Sequence, residues 1–427
     1  LFNPAVKLAE RGFPVSERLV FYIRQEKDRL KLFQASRAVF LDKNGEPLKT
    51  GTVLSQPDLA KTFRLIQQQG PDVFYQGEIG RDIVKAVREA PYHPGLMREA
   101  DLAAYRVVRR EPVSGGYRGY DIFSMGPPSS GGTTLIETLH ILERFPLSDY
   151  SGTPQDESPG FPHARGNLKF PSPQALHLFS EAQKLAFRDR NLFLGDPDFV
   201  KVPVEKLLSK STAQKGARAI QMDTVIPDVP VQTSAPLNAN AHTSHLSIVD
   251  ARGNMAAFTT TIEEMFGSAM MVPGRGFFLN NELTDFDLEV RQNRHPRANA
   301  IQGGKRPRSS MAPTFIFKEG KPFLIIGSPG GSKIIGAVLN VVINRIDFGM
   351  PLERAMRSPR LINRDGDLEM ETDLFKDLRQ RLDLGARGHR IVESAPIGNV
   401  QAISFNQKDG FITGISDPRG EGEAKGY

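Results

Sequence analysis

The 427-residue chain contains no cysteine, which excludes disulfides, thiolate metal sites and cysteine nucleophiles and leaves the compartment open. Nor does any apolar run approach the roughly 18 residues that a membrane-spanning helix requires. A strong basic stripe is also missing. Lys and Arg exceed Asp and Glu by 55 − 49 = 6, and the excess is dispersed. The longest basic cluster, Lys305-Arg306-Pro307-Arg308, is too short to argue for nucleic acid. The eight histidines show no H-E-x-x-H spacing and no dinucleotide fingerprint follows a strand, so no metal or organic cofactor is expected. Without G-x-S-x-G or S-x-x-K, neither an α/β-hydrolase elbow nor a serine β-lactamase site is supported, and the isolated Lys49-Thr50-Gly51 carries no weight. The chain opens at Leu1 with no signal-peptide pattern.

What is present begins with helices. Asn3-Pro4 followed by Ala5, Leu8, Ala9 and Gly12 has the cap, first-turn proline and terminating glycine of a short helix. Ser16 caps a second, residues 57–69 form a third ending at Gly70-Pro71, and residues 77–90 repeat the pattern. Arg88 is a solvated charge at a helix end. Residues 120–125 read as a strand, broken by GPPSSGG before a helix over 134–145. Such a glycine-serine loop can hold an anion or form a tight connection. The second reading is preferred, with Ser129 and Ser130 as helix caps. Residues 149–173, rich in Pro, Gly and Ser, form a surface loop. Residues 174–191 are a helix whose stripe Leu178, Ala182, Leu185 and Ala186 belongs to the core. LGDPDFVKVP then leads by loops to a linker rich in Pro, Asn and Ala.

That linker stops at Thr243, where TSHLSIVDARGNMAAFTTTIEEMF begins. Leu246 and Ile248 point one way and His245, Ser247 and Val249 the other; DARGN is a turn, and residues 255–261 are the second strand of a hairpin. Thr243 heads this hairpin. It is an ordinary linker or strand residue, or, if the chain is cut just before it, a nucleophile whose own freed α-amine serves as base. An α-amine titrates near 7.7–8.0 in model peptides, so it is available at neutral pH. Further strands are expected over 276–279 and 322–326, and a closing hairpin over 399–405 and 411–416. Ser328 to Ser332 starts a helix, and free amides there suit an oxyanion.

Three later motifs, GFFLNNELTDF, KRPRSSMAPT and IIGSPGGSKII, follow the TSHLS start in order. Together they resemble the small subunit of γ-glutamyltranspeptidases, and the resemblance runs on to the closing SDPRGEGEAKGY and back through MGPPSSGG to NPAVKLAERGF, covering nearly the whole chain. It implies an α+β fold, the four-layer αββα sandwich of N-terminal-nucleophile hydrolases with two packed, mostly antiparallel sheets. It also implies a large-subunit part, 1–242, and a small subunit, 243–427, separated by autoproteolysis between His242 and Thr243. By resemblance the chain begins late: family members carry an earlier segment holding strands and an arginine that grips the substrate carboxylate. Family members are periplasmic or secreted.

Residue by residue, the resemblance makes Thr243 the nucleophile and Thr261 the threonine that hydrogen-bonds its hydroxyl. The amides of Gly330 and Gly331 become the oxyanion donors. Glu263, Glu282 and Asp285 match the positions that bind the substrate ammonium, and Ser309 and Ser310 the pair that binds its carboxylate. Many members have an amide where Glu263 and Glu282 stand; three acids together could raise one another's pKa. A solvated strand edge is the competing reading for Glu263 and Glu264. His245 is read as a packed histidine and not as a base. Residues 287–308 correspond to a region that some members fold as a lid. The implied activity is γ-glutamyl transfer and hydrolysis of glutathione-like amides, with water, amino acids or peptides as acceptors and no nucleic acid or membrane partner. A glutaryl or cephalosporin-type acylase is the alternative, disfavoured because Glu263, Glu282 and Asp285 would face an uncharged carbon. An inactive truncated relative is the third.

Overall fold

A computed structural model describes residues 1–152, 170–228, 241–288, 297–407 and 409–427. The chain forms two compact units, residues 1–109 with 262–282, and residues 110–261 with 283–427.

Amphipathic helices build the first unit. Asn3–Arg11 ends at Gly12, Glu17–Gln25 is capped by the Ser16 hydroxyl accepting from the Leu19 amide (3.2 Å), and Pro57–Gln69 and Glu78–Arg88 follow. The 262–282 segment threads among them. Phe266 and Phe278 pack at a tilt against Phe40 with ring centroids 5.1 and 5.4 Å away, and the Ser36 hydroxyl donates to the Ala269 carbonyl at 2.7 Å. Arg275 reaches Asp82 and Glu78, both at 2.7 Å. These demands on the segment override its apolar pattern: the strand expected over 276–279 is only an isolated bridge between Met271 and Phe278.

In the second unit six antiparallel strands run in the order Ile412–Ser416, Gln401–Phe405, Lys321–Gly327, Thr314–Lys318, Tyr120–Ser124, Val113–Tyr117. Side chains alternate across a pleated sheet. Leu324 and Ile326 therefore share one face, where they join Ile122, Ile316 and Ala402 in a core with the helices Gly131–Leu142, Pro173–Phe193 and Ile334–Ile346. Ile325 and Gly327 face the other way, toward the hairpin of Ala241–Val249 and Met255–Glu264. A smaller sheet of Leu361–Asn363, Leu368–Glu371 and Ile391–Ser394 borders the core.

Several expectations need correction. The helix expected over 134–145 begins three residues earlier, at Gly131, and Ser130 makes no capping bond to it. The stretch after LGDPDF holds two helices, Val204–Leu207 and Lys210–Ala219, the latter capped by the Ser209 hydroxyl accepting from Thr212 (3.2 Å). The first is only four residues long, and the second, KSTAQKGARA, carries little apolar surface to announce it. Of the loop placed at 149–173, residues 153–169 lie outside the described residues; at its ends Ser151–Gly152 pairs with Phe170–Pro171.

The closing motif is anchored by a fully buried ion pair. Arg360 donates to Asp417 (2.6 Å) and to the Ile397 and Met356 carbonyls (2.8 and 2.9 Å), while the same Asp417 oxygen accepts from the Val400 amide (2.9 Å). Burial alone would push the Asp417 carboxyl up, but Arg360 and Arg419 hold it below its usual value. Removing one partner strands the other charge in the core. Asp417→Asn and Arg360→Met are each expected to cost about 3–5 kcal/mol of stability in urea denaturation.

Candidate active site

The turn at Asp250 sets the register of the hairpin. The Asp250 amide donates to the Asn254 carbonyl (3.0 Å), and the Asp250 carboxylate accepts from the Arg252 and Asn254 amides (2.9 and 2.8 Å). Further along, His245 Nδ1 meets the Thr259 hydroxyl at 2.7 Å. Residue numbers of both pairs sum to 504, and the same antiparallel count puts Thr261 opposite Thr243. Opposed residues have Cβ atoms about 4.5–5.5 Å apart.

Thr243 lines a cleft of about 320 Å³ with Ser244 to Ser247, Pro329, Asn399, Gln401 and the 422–425 segment. The adjoining Gly330-Gly331 turn runs beside the Thr243 strand. Gly330 has φ +134, and a Cβ there would stand 3.2 Å from the Gly398 backbone, so the turn tolerates only glycine. The Ser328 hydroxyl fixes the approach, accepting from the Asn399 amide (2.9 Å) and donating to the Pro329 carbonyl (2.7 Å). A short 3₁₀ turn, Gly331–Lys333, then enters the helix Ile334–Ile346.

His245 is packed, as expected of a histidine that the proposed chemistry does not need. A Cβ on Gly327 would fall 2.2 Å from its ring, and the second ring nitrogen meets the Ser247 hydroxyl at 3.1 Å. Burial pulls its pKa down to about 4.

Ser309 and Ser310 are gripped from behind. The Ser130 amide and hydroxyl both donate to the Ser309 carbonyl (2.8 and 2.7 Å), and Ser129 donates to the Met311 carbonyl (2.6 Å). These two serines therefore clamp the 309–311 turn, which corrects their reading as caps. Sequence reasoning missed Arg190. It projects from the Pro173–Phe193 helix and donates to Ser130 Oγ, Asn191 Oδ1 and Ser310 Oγ at 2.8, 2.9 and 2.8 Å. Its place near the end of an amphipathic helix resembles a solvated charge, yet it is buried. Arg308 is buried beside it, donating to the Arg190 carbonyl (3.1 Å). Burial raises Asp285 to about 6, although Arg190 and Arg308 pull the other way.

The remaining candidates, Glu263 and Glu282, belong to the first unit. Glu263 is buried with φ +75, an uncommon backbone conformation for a non-glycine residue, and accepts from Asn281 Nδ2 at 2.7 Å. It is therefore no solvated edge. The Glu282 amide donates to Asn280 Oδ1 (3.1 Å). Residues 289–296 of the lid region lie outside the described residues; beyond them Asn299 donates to the Asp285 carbonyl (2.7 Å) and accepts from the Arg308 amide (2.9 Å).

Among the described residues, one buried group, His177, Glu181 and His389, offers three possible metal donors. Their contacts form a hydrogen-bond chain. His177 Nε2 lies 2.7 Å from the Gln221 carbonyl and must donate to it, leaving Nδ1 to accept from His389 Nε2 at 2.8 Å. Two nitrogens on one zinc at about 2.0–2.1 Å would stand about 3.3 Å apart in tetrahedral geometry. Glu181 accepts from the Ile226 amide (2.5 Å), with the Lys184 ammonium 3.6 Å from its other oxygen. Burial lowers His389 to about 3 and also lowers His177.

The whole chain, residues 1–427, matches the family model described as gamma-glutamyltranspeptidase. The chain belongs to the gamma-glutamyltranspeptidase family. It is 37% identical to a glutathione hydrolase proenzyme of Bacillus subtilis (strain 168), with 100% of this chain and 70% of the relative aligned. Against the glutathione hydrolase proenzyme of Escherichia coli (strain K12) the figures are 38%, 98% and 69%. The solved cephalosporin acylase of Bacillus halodurans superposes with a TM-score of 0.80 at 27% identity, covering 100% of this chain and 74% of that one. The fold is that of the N-terminal-nucleophile hydrolase sandwich, and the family is one of enzymes.

Two outcomes test the packing of the site. Gly327→Ala drives a methyl into the His245 ring and is expected to cost about 1–3 kcal/mol in thermal unfolding. His245 and His389 are depressed in the folded state, so the unfolded chain takes up protons first. Their contribution is full above the ordinary histidine value of 6.5 and declines as pH falls toward about 4 for His245 and about 3 for His389. Imidazole NMR titration should find neither ring protonated at pH 5.5.

Proposed function

We propose that this chain hydrolyses and transfers γ-glutamyl groups of glutathione and related amides through a γ-glutamyl ester on Thr243. The reading requires cleavage between His242 and Thr243, which divides the chain into 1–242 and 243–427. Thr243 Oγ adds to the His242 carbonyl and the C–N bond breaks, the Oγ proton passing to the departing nitrogen, which leaves an ester on Oγ and a free α-amine; water then hydrolyses that ester, releasing the Thr243 hydroxyl and the His242 carboxylate. That amine then takes the Oγ proton as Thr243 attacks the donor amide and passes it to the departing amine. One observation carries the reading: Thr243 faces Thr261 across the hairpin while its strand runs beside the Gly330-Gly331 turn. Thr261 holds the nucleophile's hydroxyl, and the two glycine amides receive the oxyanion. The relatives named glutathione hydrolase proenzyme support both the substrate class and the self-cleavage.

On this reading Ser309 and Ser310 bind the substrate carboxylate and Asp285 its ammonium. By family resemblance Glu263 and Glu282 are further amino-group acceptors. A cephalosporin-type acylase is a second reading, favoured by the name of the structural neighbour. The acid at Asp285 opposes it, because a glutaryl group offers it no ammonium. A periplasmic or secreted location is proposed by resemblance alone.

Intact mass and N-terminal sequencing should give two fragments, the smaller beginning Thr243-Ser244-His245, and Thr243→Ala should give one uncut, inactive chain. Cleavage of glutaryl-p-nitroanilide in preference to the γ-glutamyl compound would sink the transferase reading. The Asp285 carboxyl must be ionised to hold an ammonium, and burial sets its pKa at about 6. The α-amine base, near 7.7–8.0 in model peptides, should lower kcat/KM for γ-glutamyl-p-nitroanilide about tenfold per unit below that value, and Asp285 should steepen the fall to about a hundredfold per unit below pH 6. In Asp285→Asn the lower inflection should disappear, leaving that of the α-amine, and KM should rise.

A further inference from the structure

Arg190 presents an imbalance of protons and of charge. A guanidinium only donates, so each hydroxyl it touches must accept, and a hydroxyl has one proton to place elsewhere. Ser130 places its proton on the Ser309 carbonyl at 2.7 Å. Ser310 accepts from Arg190 Nη2 at 2.8 Å, and among the described residues no acceptor takes its own proton. The Ser309 hydroxyl accepts from the Met311 amide at 3.1 Å and is left in the same state. Two adjacent hydroxyls thus hold protons ready to donate. Arg190 itself is buried against neutral oxygens, and among the described residues no carboxylate lies within 4 Å of it. A buried cation with neutral partners gains from an anion placed on the far side of those partners.

We propose that Arg190 is a positioning residue for carboxylate recognition: it orients the Ser310 hydroxyl proton toward a bound α-carboxylate and supplies the buried positive charge behind it. The proposal rests on the reading of Ser309 and Ser310 as the carboxylate-binding pair. Ser130 ties the parts together, because it accepts from Arg190 Nε at 2.8 Å and holds the turn that carries both serines. Discrimination follows from the proton count. A carboxylate accepts both hydroxyl protons and faces the cation, whereas an α-carboxamide has one acceptor oxygen and no charge.

Calorimetric titration of the purified chain with L-glutamate and with its α-amide, L-isoglutamine, tests this without turnover. The wild-type protein should prefer glutamate by about tenfold or more, as charged hydrogen bonds at a buried site imply. Arg190→Met and Ser310→Ala should each remove most of that preference, the double variant should lose little more than either, and Arg190→Lys should restore part of it. A merely structural arginine would weaken both ligands equally; an unchanged ratio in folded Arg190→Met overturns the proposal. If Arg190→Met does not fold, Arg190→Lys carries the test, and a preference equal to wild type in that variant overturns it, because an ammonium cannot reproduce the three-armed contact. A Ser310→Ala variant that keeps the full preference refutes the serine-pair reading and the proposal together. Loss in Ser310→Ala with none in the arginine variants refutes the proposal alone.

Discussion

A guanidinium buried away from water has to find an acceptor for each of its edges, and satisfying Arg190 organises much of the second unit's site. Its three hydrogen bonds draw on the loop before the Gly131–Leu142 helix, on its own helix at Asn191, and on the 309–311 turn. Those segments are far apart in sequence, and each contributes one neutral oxygen. Ser130 is the most constrained of them. It accepts a hydrogen bond from Arg190 and donates one to the Ser309 carbonyl, so a serine in a tight connection becomes a bridge between a helix and a turn.

The opposite face of the six-stranded sheet is governed by shape. Gly327 leaves room for the His245 ring, and that contact seats the strand bearing Thr243 against the sheet. Three residues later Gly330 adopts a conformation closed to other residues and turns the chain toward the helix Ile334–Ile346. The spacing from Gly327 to Gly330 thus fixes both the strand that carries the proposed nucleophile and the turn that carries the proposed oxyanion amides.

The hairpin was legible because alternation, a turn sequence and a linker all marked it, and His245 was read as packed because the proposed chemistry does not need it as a base. The glycine turn was legible because a strand, a glycine pair and an apolar helical period came in succession. Arg190 was not. Its helix announces a core stripe, and nothing in one sequence separates an arginine at such a helix end that meets water from one that meets three buried oxygens. The strand expected over 276–279 failed for a related reason. Phe277 and Phe278 have the composition of a strand, but Phe278 is taken up by Phe40 and Phe266 and Phe277 by Phe74. Local pattern locates apolar residues; tertiary partners decide whether they pair as strands.

The electrostatics of the second unit's site express a separation of tasks. Asp285 has two buried arginines nearby, a setting that alone would keep its carboxyl strongly acidic, yet burial outweighs them. Neither arginine is free to pair with it directly. Arg190 spends its donors on neutral oxygens, and Arg308 donates to the Arg190 and Leu194 carbonyls with Asp287 3.5 Å away. Had either formed a direct ion pair with Asp285, both charges would have been neutralised inside the protein, leaving less for a ligand that carries one charge of each sign. Holding the cation behind hydroxyls and the carboxylate in a poorly solvated position keeps both unsatisfied, at a cost in stability. A zwitterionic α-amino acid group has the charge pattern that relieves both at once, which is why the proposed substrate class fits this arrangement better than a singly charged acyl chain.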